Sequence, residues 1–247
     1  MKSFFKYFFA SFLSIIVFTV IAIFIFSWLA NKTVEPEKPQ VDNRSVLMID
    51  LSKPIAEQTY NVGFPLAESQ AVTADGLYDM VRAIRYAKKD SAIKCIYLKC
   101  GENSNGFATS EELRNALIDF KQSGKFVIAY GDYISQKAYY VANTANKVYC
   151  SPQGFVDWKG FAMIYSFLKG MLDKLEIKPE IFYAGQFKSA TEPLREKQMT
   201  PANRLQSAVF LNELYEMFIN SATLKTGKDT ATLKQLANEF VIHSAKD

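Results

Sequence analysis

One stretch of the sequence carries side chains that could perform acyl transfer. Residues 184–200 read AGQFKSATEPLREKQMT, and Lys188 lies there directly before Ser189. A lysine acts as a general base only when its pKa falls from about 10.4 towards 7 or 8, which burial among apolar groups can achieve. Such an amine can activate a serine hydroxyl as a nucleophile. On the local chemistry alone, a solvated lysine in a surface turn is the favoured interpretation.

The polar neighbours of Lys188 favour structural roles. Adjacent side chains of an extended segment point in opposite directions, so we do not expect Ser189 to pair with Lys188. Glu192 and Arg195 follow on the same stretch. We expect these two to pair with each other or to hold the loop.

Composition excludes several other kinds of catalytic site. The chain has one histidine, His243, which argues against a Ser-His-Asp triad or a histidine-based metal site. Its three cysteines, Cys95, Cys100 and Cys150, show no CxxC spacing, so they do not form a zinc knuckle. We therefore predict no metal and no cofactor. Buried thiols are the simplest interpretation of the cysteines, with a disulfide such as Cys95–Cys150 as an alternative.

The N-terminal region is typical of a membrane anchor. Residues 8–30 contain no charge, and a helix of about 20 residues crosses the hydrocarbon layer. Lys2 and Lys6 precede this run and Lys32 follows it, which favours a cytoplasmic N-terminus. A cleaved signal peptide would need a small side chain where the bulky Trp28 stands. We predict an uncleaved single-pass anchor in the cytoplasmic membrane, with the soluble part on the extracytoplasmic side, which is the periplasm if the cell is Gram-negative.

These features divide the chain into four parts. Residues 1–7 form a cytoplasmic N-terminus, 8–30 the transmembrane anchor, 31–44 a linker with two prolines, and 45–247 one soluble domain. Of the formal charge of +4, two positive charges belong to the N-terminal part, so the rest of the chain is nearly neutral. A nearly neutral domain argues against nucleic acid as a partner.

The soluble part alternates between strand and helix patterns. This alternation predicts a parallel or mostly parallel α/β sheet with helices on both faces. Strands are expected at Ser45–Leu51, Ile93–Cys100, Lys125–Tyr130, Lys147–Cys150 and Lys178–Tyr183, and helices at Thr73–Asp90, Ser110–Ser123 (capped by Thr109 or Ser110), Gln136–Ala145, Phe167–Glu176, Pro201–Thr223 and Thr230–Glu239. The loop Gly101–Gly106 follows the Ile93 strand, where backbone amides could line a substrate groove. A plain strand-to-helix connection is the simpler prediction for it.

The region from Tyr130 to Ser207 resembles the N-terminal half of the signal peptide peptidase A (protease IV) family in its long, two-halved form. The resemblance is most specific at Gly185–Pro193, which has the pattern G-x-[FY]-K-S-A-x-E-P. Matching segments also occur at Tyr139–Asn143, Asn146–Tyr149, Ser151–Asp157, Gly160–Phe161 and Leu172–Leu175. The resemblance extends over nearly the whole chain and is weakest between Ser52 and Ala71.

That resemblance implies a fold and a mechanism. The implied fold is a ClpP/crotonase-like spiral, duplicated into two halves in the family. The implied catalytic residue is Lys188 as general base, paired with a serine from the second half. The position corresponding to that serine is Gln136 here, with Lys137 and Ala138 in place of two glycines. The first half would thus supply the lysine and not the nucleophile.

The resemblance also implies substrates and partners. It implies a serine peptidase that degrades cleaved signal peptides, or other peptides, at a lipid bilayer, with assembly into a homotetramer. The sequence ends at Asp247 without a serine-bearing second half, so we expect this chain alone to be inactive. The alternative function is a non-catalytic, membrane-tethered scaffold or binding module of the same fold. An acyl-CoA enzyme of the crotonase type fits neither the anchor nor the lysine motif.

Overall fold

The chain forms two compact units, one ending at Val41 and the other running from Asp42 to Asp247. The structure, a computed structural model, describes residues 2–33, 41–62, 72–242 and 244–247. Most of the predicted linker (34–40) and His243 lie outside the described residues.

The first unit is one long helix. Helix α1 spans Lys2–Thr33, and its segment Ser3–Trp28 has a mean hydropathy of 2.8, with the side chains of its most apolar part exposed. Length and composition make this helix suitable for crossing a membrane. The predicted anchor, residues 8–30, falls within it.

The described strands of the second unit end by Val156, and its longest helix lies near the C-terminus. Its elements in chain order are β1 (Ser45–Asp50), β2 (Ile55–Ala56), β3 (Tyr60–Val62), β4 (Val72–Gly76), α2 (Leu77–Lys89), β5 (Ile93–Lys99), α3 (Phe107–Lys121), β6 (Phe126–Ile134), α4 (Gln136–Ala142), β7 (Lys147–Val156), α5 (Lys169–Lys174), a 3₁₀ turn (Ser189–Thr191), α6 (Glu192–Arg195), α7 (Pro201–Thr226) and α8 (Thr230–Asn238).

The main sheet is parallel throughout. Its strand order is β1-β5-β6-β7, and each neighbouring pair runs in the same direction. A small second sheet has the order β2-β4-β3, with β2 parallel and β3 antiparallel to β4. The predicted α/β class with a parallel sheet flanked by helices is therefore confirmed.

Alternating apolar residues build the main core on one face of this sheet. Ile49, Leu98 and Ala129 point to that face and are buried. They share one core cluster with residues from three helices: Val81 and Ile84 of α2, Leu117 and Phe120 of α3, and Val141 of α4. Because each buried side chain removes apolar surface from water, this cluster stabilises the sheet and the helices together.

The opposite face of the main sheet is uncovered in the described part of the chain. Val46, Met48, Phe126, Tyr130 and Tyr149 lie on it, between 37% and 61% exposed. We call these five residues, together with Tyr97 and Ile128, the open sheet face. The prediction of helices on both faces is wrong for these residues, because α2, α3 and α4 all pack against the other face.

A second cluster joins α7 and α8 to the end of β7. Trp158 and Phe218 are buried, with ring centroids 5.1 Å apart. The indole of Trp158 donates a hydrogen bond to the carbonyl oxygen of Leu233, at 3.1 Å. This cluster fixes α7 beside the main core.

Two predicted helices begin three or four residues away from their predicted starts. Helix α2 begins at Leu77, and not at Thr73, because residues 72–76 form a strand of the small sheet. Helix α3 begins at Phe107 after Gly106, without a side-chain cap. Ser110 is buried inside that helix, where its hydroxyl accepts a hydrogen bond from Asn103.

The predicted strand Lys178–Tyr183 is absent from the structure. The segment has no regular secondary structure, no described strand pairs with it, and Phe182 is 92% exposed. An alternating sequence needs a hydrogen-bonded neighbour to become a strand. Strands β6 and β7, by contrast, continue to Ile134 and Val156, beyond their predicted ends.

All three cysteines are free thiols. Cys95 and Cys100 are buried, and Cys150 is half-buried. Burial, together with the nearby Cys150, raises the pKa of the Cys100 thiol to about 12. The thiols therefore behave as packing groups, and the alternative disulfide between Cys95 and Cys150 is not present.

Candidate functional site

Lys188 lies in a turn that joins the extended segment before it to α6. We call residues 185–195 the lysine turn. Gly185 opens it with a φ of +88°, a left-handed conformation that glycine adopts without strain. Lys188 then leads into the 3₁₀ turn Ser189–Thr191, which continues into α6. The motif residues thus form a compact, defined bend.

The amine of Lys188 faces solvent. The residue is exposed and lines an open depression of about 430 Å³, whose other walls include Phe182, Tyr183 and Phe187. The apolar burial that a lysine base requires is not supplied by the described residues of this chain. The apolar walls are in place, but the depression is open on its outer side.

A buried carboxylate holds the lysine turn against the start of α7. Glu192 is 0% exposed. Its oxygens accept hydrogen bonds from the backbone N–H of Thr200 at 3.2 Å, the hydroxyl of Thr200 at 2.5 Å and the amide of Asn203 at 2.8 Å. Burial opposes ionisation, but the hydrogen bonds from Thr200 and Asn203 outweigh it and lower the pKa of Glu192 below its ordinary value of 4.5.

Arg195 completes the scaffold of the turn. Its Nη2 lies 3.6 Å from Oε1 of Glu192, and its Nε donates to the hydroxyl of Thr191 at 3.3 Å. Its guanidinium lies 4.0 Å from the ring centre of Tyr183, within the range of cation–π attraction. Glu192 and Arg195 therefore pair with each other and hold the lysine turn, which is the structural role that we expected for them.

Ser189 is half-buried beside Lys188. Among the described residues, no hydrogen bond joins its hydroxyl to the lysine amine. The expectation that these adjacent side chains do not form a Ser-Lys pair agrees with this geometry.

A second depression lies at the carboxyl edge of the main sheet. This carboxyl-edge cleft has a volume of about 500 Å³, and its walls come from the segments that follow β5, β6 and β7 and from the middle of α7. Its apolar lining is Phe107, Phe161, Met163, Phe210, Leu211 and Leu214. In this class of sheet, ligands bind at such an edge, so the cleft is the second place to test for chemistry.

The floor of the cleft holds Gln136, the residue at the expected nucleophile position. Gln136 is buried at the start of α4, and its amide donates a hydrogen bond to the carbonyl oxygen of Lys159. The neighbouring hydroxyl of Ser135 accepts hydrogen bonds from the backbone N–H groups of Ala138 and Asn103. Gln136 has no nucleophilic atom, and Ser135 serves as a helix cap.

The two asparagines of the loop Gly101–Gly106 are hydrogen-bonded to each other and to neighbouring segments. Asn103 and Asn105 are buried, and Asn105 donates its backbone N–H to the side-chain oxygen of Asn103 at 3.1 Å. Asn105 also bonds the backbone of Lys53 and Ile55. Because the backbone N–H groups of Asn103 and Asn105 are already paired, these two are not free to bind an oxyanion.

The structure does not bring Lys188 and Gln136 together. The depression beside Lys188 and the carboxyl-edge cleft share no lining residue. A second depression beside the lysine turn includes Thr200, Pro201 and Leu205, at the start of α7. The cleft borders the same helix only from Phe210 onward. The position expected to hold the nucleophile therefore does not border the depression beside Lys188.

Two residues of the scaffold were not predicted from the sequence. Thr200 caps α7 by accepting a hydrogen bond from the N–H of Asn203, at 3.3 Å. A threonine followed by proline is a recognised helix start, so Thr200-Pro201 was the available signal for the cap. The bond from Asn203 to Glu192 depends on the tertiary structure and leaves no pattern in the sequence.

Comparison with protein families gives a match over the C-terminal half of the chain. The model of "Peptidase family S49" matches residues 119–247, which include the lysine turn and all of α7. The chain belongs to peptidase family S49. This assignment agrees with the resemblance to signal peptide peptidase A that the lysine motif carries.

Curated relatives of this family are much longer than the chain. Protease 4 of Salmonella typhi is 36% identical over 191 residues, covering 73% of this chain and 31% of the relative. The chloroplastic serine protease SPPA of Arabidopsis thaliana is 29% identical over 160 residues, covering 65% and 24%. Protease 4 of Haemophilus influenzae is 33% identical over 147 residues, covering 59% and 24%. The chain thus spans a third or less of the length of these relatives.

Comparison with solved structures gives weak matches. An enoyl-CoA hydratase/isomerase family protein from Silicibacter pomeroyi aligns with a TM-score of 0.28 at 12% identity, covering 67% of this chain and 85% of that one. An enoyl-CoA hydratase from Shewanella pealeana aligns with a TM-score of 0.24 at 13% identity, covering 67% and 76%. Scores this low bear on neither the fold nor the activity of the chain.

Proposed function

We propose that this chain is the lysine-bearing part of a membrane-anchored serine peptidase that uses a Ser-Lys pair. Membership of family S49 supports a peptidase, and the names of the relatives support a serine peptidase of the SPPA type. The observation that carries the proposal is Lys188, exposed on a rigid turn and beside an apolar depression.

The proposed role of Lys188 is that of the general base. Its amine would take the proton from a serine hydroxyl supplied by a segment outside this chain, and would later give it to the leaving amine. A segment that covers the depression would also exclude water from the amine, which is the condition under which a lysine becomes a base. Glu192 and Arg195 would act as positioning residues, because they hold the turn and do not reach the reacting atoms.

The proposed substrates are remnants of cleaved signal peptides, or other apolar peptides. In this proposal α1 anchors the protein in the cytoplasmic membrane, with the second unit on the extracytoplasmic side, where such remnants are released. Two lysines before the apolar run and one after it support this orientation. A homotetramer is the assembly that the family resemblance suggests.

A Lys188→Ala variant of a full-length protein that includes the serine-bearing segment tests this proposal. Removing a general base lowers the rate about 10²- to 10⁴-fold, so peptide hydrolysis should fall by that factor. The rate of the Lys188→Arg variant should fall by the same factor, because arginine stays protonated and cannot accept the proton of the serine. Lys197→Ala is the matched control, since Lys197 is also exposed on the same segment, and it should retain full activity. Equal rates for Lys188→Ala and the parent would remove Lys188 from the mechanism.

A non-catalytic, membrane-tethered scaffold is the second candidate function. Gln136 favours it, because the cleft position expected to hold a nucleophile holds a buried amide instead. A serine-directed covalent probe should leave this chain unlabelled under both functions. The full-length protein separates them: a peptidase is labelled at a serine outside this chain, whereas a scaffold is not labelled.

A further inference from the structure

The open sheet face is a large apolar surface that the site described above does not use. Its residues form rows across the strands. Met48, Tyr97 and Ile128 make one row, Tyr130 and Tyr149 belong to a second, and Val46 and Phe126 share a third with the buried Cys95 between them. Parallel sheets are normally covered on both faces, and contiguous exposed apolar patches mark interaction surfaces. We therefore expect another surface to cover this face.

The chemistry of the face fits a lipid–water interface. Three tyrosines stand among aliphatic side chains, and the exposed Lys147 lies in the same row as Tyr97. Tyrosine and lysine are the residues that anchor protein surfaces at the level of the lipid headgroups, above an apolar layer.

The carboxylates on this face are already paired. Asp50 lies 3.0 Å from the amine of Lys99. Asp132 accepts a hydrogen bond from the hydroxyl of Tyr130, at 2.6 Å. Pairing lowers the repulsion that free carboxylates would meet at an anionic lipid surface.

The covalent connection limits how far this face can be from the bilayer. Helix α1 ends at Thr33 and β1 begins at Ser45, so eleven residues separate them. Fully extended, eleven residues reach at most about 40 Å. Val46 and Met48, the first two residues of the open sheet face, follow this connection directly. A surface tethered at so short a distance meets lipid at a high effective concentration.

We propose that the open sheet face docks on the surface of the membrane that holds α1, with Tyr97, Tyr130 and Tyr149 at headgroup level. This inference rests on the anchoring function proposed for α1. The bilayer would take the place of the second helical layer, so the second unit would lie against the membrane and would not hang free from its tether.

Photocrosslinking of the whole chain in liposomes tests the proposal. The photoreactive residue p-benzoylphenylalanine would replace Tyr149 on the open sheet face or, as a control, Tyr86. Tyr86 is 62% exposed on α2, which packs on the other side of the sheet. In vesicles of phosphatidylethanolamine and phosphatidylglycerol, lipid adducts should be several-fold more abundant at position 149 than at position 86.

Each outcome has a distinct meaning. A crosslinked dimer at position 149 would identify a second copy of the chain as the occupant and overturn the proposal, as would equal lipid adducts at both positions. Flotation of the vesicles reports on the anchor separately, because a chain that does not float lacks the proposed membrane span. A Met48→Glu variant should still float but lose the adducts at position 149, whereas Tyr86→Glu should keep them.

Discussion

The lysine turn and the carboxyl-edge cleft differ in how their polar side chains are used. The turn exposes its lysine to solvent, whereas the cleft bonds its glutamine within the protein. In the turn, the buried Glu192 and Asn203 and the half-buried Thr200 bond one another, and Lys188 is left exposed. In the cleft, Gln136 and its neighbours are buried and bonded inward, to backbone groups. The side-chain amide of Gln136, on the floor of the cleft, is thus already bonded within the protein.

The difference shows that a depression alone does not locate chemistry. A reactive group must be rigidly held and still have an unused atom to offer. In the turn these two demands fall on different residues, because Glu192 provides the rigidity and Lys188 the free amine. In the cleft, Gln136 is firmly held by its hydrogen bond, but it has no unused reactive atom to offer.

The largest expected effect comes from removing the support of the turn. Glu192→Ala deletes the buried acceptor of Thr200 and Asn203, and hydrogen bonds to charged groups are worth about 1.5–3 kcal/mol each. The free energy of unfolding in detergent should fall by at least about 1.5 kcal/mol. The matched control is Glu196→Ala, which removes a partly exposed partner of the same arginine and should cost less than about 1 kcal/mol. Equal losses would show that Glu192 is not the support.

A substitution at the floor of the cleft should have a smaller effect. Gln136→Ser removes one hydrogen bond to the carbonyl of Lys159, which is worth about 1 kcal/mol of unfolding free energy. The new hydroxyl has no base beside it, because the nearby amine of Lys137 donates to the carbonyl of Asn105 at 2.8 Å. A serine-directed probe should therefore leave the variant unlabelled. Stoichiometric labelling at position 136 would break the distinction between the two regions.

Acid should weaken the turn through Glu192. Its pKa is lowered in the folded chain, so its contribution to stability is fully present above the ordinary value of 4.5 and is lost as pH falls through the folded-state pKa. Other carboxylates also titrate in this range. The measurement is therefore the difference in unfolding free energy between the parent and Glu192→Gln, which should shrink as pH falls below 4.5. A difference that is constant with pH would contradict the assignment.

The sequence predicted the elements whose pattern is local. Strands β1 and β5 have the alternation of apolar residues that a half-buried strand needs, and α7 and α8 begin after Thr200 and Asp229, both of which cap a helix in the structure. The short strands β2 and β4 escaped prediction, because two to five residues carry too little pattern.

The misses depend on tertiary contacts. Lys178–Tyr183 has a strand-like sequence, but strand formation needs a neighbour that the described chain does not provide. The motif placed Lys188, while the burial of Glu192 depends on Asn203, eleven residues away, and could not be read from spacing. The exposure of the open sheet face was not predicted, because the alternation of apolar residues in a strand does not show which face of the sheet the helices will cover.

Helix α7 connects distant parts of the second unit. At about 1.5 Å per residue, its 26 residues form a rod about 39 Å long. Its first turn is fastened to Glu192, and near its last turn the amine of Lys225 is fastened to the carbonyl oxygens of Ala145 and Asn146, at 2.6 and 2.9 Å. One continuous helix therefore ties the support of the lysine turn to the connection between α4 and β7.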